Sequence, residues 1–478
     1  MVKILDFRRN STYFISLLAI AGMGTLWTGF SKFAPKGVDL PYTQTKPHTI
    51  TLDLPKENDR SGGLIAVDIN GDSEQDFLVS KPGYLVAYTY SGEQLWKKAT
   101  KIQLTGKAES QGLPGLHAAG VQAGDVDGDG KTEVLFLTQD NTLEIVQGED
   151  GVSEASIRLQ SPEGSNGWEH LVVGNFRGEG DRDILLQGTN KEGYKMGRYL
   201  AAYSIETLLT QENPQPLWTT DNFLANAHNG VRIADLDGDG KDEVLGGTIL
   251  SGDGKLLYKI PMDLQKRPHV DSLFVADVRP DIPGLELVAL EEGGENRIFL
   301  YNERGLIWST DYRNQEPQNA VIGDFDPQRP GLEIWSRSRY NERQKPFIFD
   351  AQGELIGKYE MENVAPKGWT EKGVETIFTI DWRGDAKQLA AAKERHESGD
   401  IGIFDPLTGE FLYKFSAQAD RFYVADVTGD WREDLVVLEG NQLHIFTNEE
   451  SNPQPEKARL WKQNHYRRSK MTWNYYSP

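Results

Sequence analysis

Two stretches of this sequence are built to hold a hard cation. Asp125, Asp127 and Asp129 place oxygen ligands at alternate positions, Gly130 permits a sharp bend, and Glu133 closes the loop at its ninth position. Asp235, Asp237, Asp239, Gly240 and Glu243 repeat the pattern. Carboxylates around a flexible glycine-containing loop suit calcium. An EF-hand starts the same way but needs a bidentate Glu at position twelve, where Phe136 and Gly246 stand instead. Asp68, Asn70, Asp72 and Asp76 keep the ligand positions, as do Asp426, Thr428, Asp430 and Asp434. Two variants, Asp277 to Glu286 and Asp324 to Glu333, are one residue longer. Copies starting at Asn175 and Asp381 contain Arg177 and Arg383 and are expected to bind no metal. Asp and Gly also make tight turns without metal by accepting backbone N–H groups. Any bound calcium is expected to serve blade stabilisation more than catalysis.

Histidines form the second set. His117, His170, His228 and His269 each lie five to eight residues ahead of an acidic turn, with Asn229 and Asp271 beside two of them. Imidazole titrates near neutrality and can serve as acid or base. The alternative role is to cap strand ends by hydrogen bonding, above all for His170. Arg198, Tyr199, Arg339 and Tyr340 are candidates for holding an anionic sugar. A nucleophile elbow, a His-Glu-x-x-His zinc motif and a phosphate loop are all absent. A paired-carboxylate glycosidase stays open, although nothing singles out a pair.

The acidic turn recurs eight times, at Asp68, Asp125, Asn175, Asp235, Asp277, Asp324, Asp381 and Asp426. The spacing averages about 51 residues, the range of propeller repeats. Each turn joins two short apolar, β-branched runs, and further on a Gly precedes an aromatic, as in Gly254 to Tyr258 and Gly305 to Trp308. Four strands per repeat predict an all-β fold: a single eight-bladed β-propeller, with seven blades and a degenerate closing unit as the rival. The one helical stretch expected is 385–397. Residues 61–478 form the propeller and 37–60 a linker. Arg8, Arg9 and the apolar run from Tyr13 to Phe30 make 1–36 an export signal or an uncleaved anchor. The expected location is therefore periplasmic or extracellular, with membrane contact only through that segment. The absence of cysteine excludes disulfides and thiolate sites. A formal charge of −21 argues against nucleic-acid binding.

The turns resemble FG-GAP repeats, and residues 85–340 resemble the rhamnogalacturonan lyases of polysaccharide lyase family 11. The resemblance rests on Gly115-Leu-His117 ahead of the turn at Asp125, and on Ala227-His-Asn229 ahead of that at Asp235. His269-Val-Asp271 before Pro280 to Glu286, and the segment from Asp324 to Trp335, match two further family segments. Departures are Ala118 and Ala119 after the first His, Val270 within His-x-Asp, and no room for the family's extra N-terminal β-domain. The resemblance implies a calcium-containing propeller that cleaves a rhamnose–uronate polymer by β-elimination. It places His228 and Asn229 at the reacting uronate, with His269 and Asp271, or His117, as acid or base. The tail from Arg467 to Tyr476 is expected to pack into the ring. Two other readings compete: an exported, non-catalytic propeller that binds carbohydrate or a partner protein, and a quinoprotein-like dehydrogenase.

Overall fold

The computed structural model describes residues 37–55, 59–105, 113–188, 198–226, 230–266, 268–311, 316–340, 343–395 and 399–472. Residues 37–478 form one compact unit, and the expected signal or anchor, 1–36, lies outside the described residues. Among those residues no helix is long and apolar enough to cross a membrane.

The alternating apolar runs become antiparallel sheets, eight among the described residues, with four strands each and one short extra strand in the sixth. In sequence order the blades cover residues 63–99, 121–158, 168–220, 232–259, 269–309, 317–358, 374–415 and 421–446. Inner strands are sandwiched between neighbours and read as continuous apolar runs; Glu133–Leu137 and Asp183–Gly188 are buried at every position. Outer strands such as Ser153–Arg158 expose alternate residues. Each acidic turn joins the first and second strands of a blade, so all eight turns lie on one face, here the turn face. Neighbouring turns are stitched together: Asp242 N donates to Asn175 O, Leu285 N to Leu236 O, and Glu433 N to Asp381 O. The beginnings of the innermost strands gather at the opposite, mouth face.

Two sequence expectations are corrected. Residues 37–60 are not a free linker, because His48–Thr51 pairs antiparallel with Gln442–Phe446 as the outer strand of blade 8. Ahead of it Thr43 N donates to Lys414 O and Tyr42 Oη to Asp400, strapping the chain along blade 7. The stretch 385–397 contains the strand Leu389–Glu394, not a helix. Three alanines favour helix locally, but the strand is buried between Val374–Ile380 and Ile401–Phe404, and that packing prevails.

The Gly-x-aromatic hairpins latch one blade to the next. Trp96 Nε1 donates to Gly148 O at 2.6 Å, Trp218 to Gly252 O at 2.7 Å, and Trp308 to Ala351 O at 3.0 Å. The second hairpin needs glycine twice over: Gly254 has φ +80°, and a Cβ there would sit 2.7 Å from the Trp218 ring. Trp96→Ala is expected to cost about 3–5 kcal/mol in urea unfolding. Leu256→Ala, at a side chain 62% exposed on another outer strand, should change stability by roughly 0.5 kcal/mol at most.

Beyond blade 8 the helix Asn464–Thr472 enters the central channel at the turn face. It packs against the inner strands Arg232–Ala234, His269–Ala276 and Arg421–Ala425, as the sequence of the tail led us to expect. Lys470 is buried, bonded to Thr379 O at 3.1 Å and to Glu433, while Arg468 bridges Asp242 and Asp181. Lys470→Ala strands the buried Glu433 carboxylate and should cost about 3 kcal/mol. The pair Lys470→Met with Glu433→Gln removes both members of the ion pair and should recover most of that loss in the same unfolding assay.

Candidate functional site at the channel mouth

Four inner strands carry a β-bulge close to their start: between Trp168 and His170, Val270 and Leu273, Pro317 and Asn319, and Glu375 and Ile377. Each adds a residue that re-aims its neighbours. The bulge in blade 7 holds Thr376, buried, at φ +52°, a costly conformation for a β-branched residue. The bulges place Glu169, Ser272, Gln318 and Thr376 near the starts of these inner strands, at the mouth of the channel.

The tightest group is His269, Asp271 and Glu292. Register pairs His269 directly with Glu292 across the strand, and Asp271 follows two residues later. His269 Nε2 lies 3.5 Å from Asp271 Oδ1 and 3.3 Å from Glu292 Oε2. Burial disfavours charge on the ring, but the two carboxylates outweigh it and push the His269 pKa up to about 9. Glu292 is raised by burial and by the neighbouring Asp271 charge, against the pull of His269. One ligand atom from each of the three lies within 4.8 Å of the others, so the group could also hold a metal ion, which would displace the imidazole proton.

The other histidines separate by environment. His170 is buried with its ring nitrogens 3.0 and 3.2 Å from the carbonyls of Ala119 and Val231. Burial lowers its pKa to about 4, and Gly230, at φ +65°, lies against the ring where a Cβ would clash. It is a structural histidine. His117 has no exposed surface, and its backbone exchanges hydrogen bonds with Thr105. His228 and Asn229 lie outside the described residues. Arg198 is exposed beside blade 3, and Tyr199 packs on Trp168 with ring centroids 5.8 Å apart. Arg339 and Tyr340 pair by backbone with Gln344 and Arg343 in a hairpin that extends blade 6. The side chains of Arg339 and Tyr340 lie outside the described residues, and Arg198 and Tyr199 are not among the residues that gather at His269.

Sequence reasoning missed a basic group on blades 6 and 7. Arg337 donates from Nη1 to Glu375 and from Nη2 to Gln318 Oε1 at 2.9 Å. Arg395 Nε lies 3.3 Å from Glu375, and buried Lys393 pairs with Glu375 across the strand. Arg337 and Arg395 meet at Glu375 with Lys393 beside it in register, and this basic group adjoins the acidic one of blade 5, where Ser272 Oγ donates to Gln318 O at 2.7 Å. The available signal was charge at the end of otherwise apolar second strands: Glu292, Arg337, Lys393 and Arg395 all occupy that slot.

The family profile described as rhamnogalacturonan lyase family 11, C-terminal domain, matches residues 211–477, more than half of the chain. The chain belongs to rhamnogalacturonan lyase family 11. Within this family 11 chain the FG-GAP-like repeat also matches residues 68–136 and 125–186, which hold the turns of blades 1 to 3. The rhamnogalacturonan endolyase YesW of Bacillus subtilis (strain 168) is 26% identical over 84% of this chain and 71% of its own. The exolyase YesX of the same organism is 23% identical, over 84% and 72%. Among solved structures, a Bacillus licheniformis family 11 rhamnogalacturonan lyase aligns with TM-score 0.62 at 19% identity, covering 91% of this chain and 81% of that one. The eight-bladed propeller of this chain is thus a fold that known lyases share.

Proposed function

We propose that this protein cleaves a rhamnogalacturonan-type polymer by β-elimination at the channel mouth. The observation that carries the reading is the His269–Asp271–Glu292 group, set beside the buried cations of the neighbouring blades in a chain of this family. Elimination removes the proton on the carbon beside the uronate carboxylate and breaks the bond to the 4-linked oxygen. It leaves a double bond in one product and a hydroxyl on the other. Arg337, Lys393 and Arg395 supply a positive field that offsets the substrate carboxylate. His269 is charged near neutrality, so it gives a proton to the departing oxygen. Asp271 and Glu292 hold the imidazolium in place. Proton abstraction we assign to His228, with Asn229 beside it.

Calcium fits the acidic turns on the chemistry of their donors. In blade 2, oxygens of Asp125, Asp127 and Glu133 lie within 4.8 Å of one another, as do those of Asp235, Asp237 and Asp239 in blade 4. Burial and adjacent acids push Glu133 and Glu243 up to about 7, the crowding that a divalent cation relieves. Calcium bound there supplies charge neutralisation within the turns.

The test follows the ultraviolet absorbance of unsaturated uronate while calcium-loaded protein is incubated with rhamnogalacturonan. A steady rise is expected. A flat trace with folded protein would overturn the lyase reading and favour a propeller that only binds carbohydrate. The exported location is part of the same proposal, since its polymer lies outside the cell. Detection of the protein in the cytoplasmic fraction alone would count against it.

A further inference from the structure

The acidic turns share one closing device. In blade 1, Asp76 Oδ2 accepts from Ile69 N at 3.0 Å and Asn70 N at 3.2 Å. Its Oδ1 is buried without a hydrogen-bond partner among the described residues. Glu286 in blade 5 and Glu333 in blade 6 repeat this: one oxygen takes two backbone N–H groups and the other is left over. A buried carboxylate with a spare oxygen calls for a cation.

Blade 3 differs in one respect. Asp183 Oδ2 accepts from Phe176 N and Arg177 N, at 2.9 and 3.1 Å, as in the other turns. Its second oxygen, Oδ1, accepts from Arg177 Nε at 2.7 Å. Arg177 Nη1 also lies 2.7 Å from Glu179 Oε2. Arg177, Glu179 and Asp183 stand at the third, fifth and ninth positions, the ligand positions of the calcium-type turns. In blade 8, Asp426 is wholly buried and accepts from Arg459 Nε at 2.6 Å, while Arg432 Nε donates to Asp430 at 2.8 Å. Arg459 comes from the segment leading to the channel helix, outside the turn.

We propose that arginine takes the place of calcium in two blades, Arg177 in blade 3 and Arg459 with Arg432 in blade 8. This rests on calcium binding in the other turns, and it reverses the sequence expectation that Asp426, Asp430 and Asp434 hold metal. Guanidinium keeps its charge at any physiological pH and offers directed donors, so it neutralises the same carboxylates without exchanging with solvent. Blade 8, where the first and last strands pair, is then closed independently of metal supply.

Calcium per chain, measured by atomic emission after dialysis, tests this in the wild type and in two variants. Arg177→Asp puts an oxygen at the third position, and Arg459→Gln with Arg432→Gln frees the blade-8 acids. Each is expected to gain one calcium. Unchanged counts in both folded variants would overturn the proposal. Hydrogen exchange of the wild type with and without EDTA gives a readout that needs no variant. Amides of 175–183 and 426–434 should keep their protection while those of 125–133 and 235–243 lose it, and equal loss at all four turns would overturn the proposal. Loss at no turn would overturn calcium binding in the other blades, with the Arg177→Asp gain still deciding the role of arginine.

Discussion

Replacing His269 with asparagine is expected to lower the rate of uronate elimination by at least ~10²-fold, the usual contribution of a positioned acid or base. Asparagine keeps a polar group of similar reach but carries no transferable proton. The substitution also leaves Asp271 and Glu292 facing each other without the imidazolium between them, so urea unfolding should shift to lower denaturant, and rates are compared where both proteins are folded. The wild-type rate carries a second signature. With a pKa raised to about 9, His269 is protonated throughout the neutral range and loses its proton only above that value. As a proton donor it therefore predicts activity that persists through neutrality and falls on an alkaline limb near pH 9. A limb rising through the same region would identify the ring as a base instead. A variant as active as wild type would remove His269 from the chemistry.

Stripping calcium should have the largest effect on stability. The turns of blades 1, 2 and 4 each gather three or four acids around glycine bends. An ion that binds only the folded turn stabilises by about 2.7 kcal/mol at a hundredfold excess over its Kd. Three such turns contribute roughly 8 kcal/mol, which for a chain of this size corresponds to a fall in Tm on the order of 10 °C when EDTA is added. Scanning calorimetry with and without EDTA measures this directly, and magnesium should restore little because its rigid octahedral shell fits a flexible oxygen loop poorly. An unmoved Tm would mean that the backbone hydrogen bonds of the turns suffice on their own.

Much of this architecture is legible along the chain because the repeat carries its own phase marker. Asp125 to Glu133 and Asp235 to Glu243 announce a turn, the apolar runs beside them give the strands, and the spacing gives the number of blades. What stays hidden depends on register or on distance. Glu292 enters the site only because the strand pairing sets it opposite His269, and Glu375 because a bulge intervenes. His48–Thr51 becomes a strand through partners nearly four hundred residues away, so its own sequence reads as a connector. Arg459 neutralises Asp426 from 33 residues further on, and no reading of the turn alone shows an arginine there. The strand Leu389–Glu394 was obscured for another reason, a local alanine preference that the neighbouring strands override.

The helix in the channel has a consequence for how a polymer meets this molecule. With Lys470 bonded to Thr379 and Glu433, and Arg468 to Asp181 and Asp242, the bore is stoppered from the turn side. A polysaccharide cannot be drawn through the ring like a thread through a bead. In the lyase reading proposed above, it lies across the rim, dips one uronate toward His269, and lifts away on the side from which it came. In that reading both cut ends leave by the same doorway, on the face away from the helix.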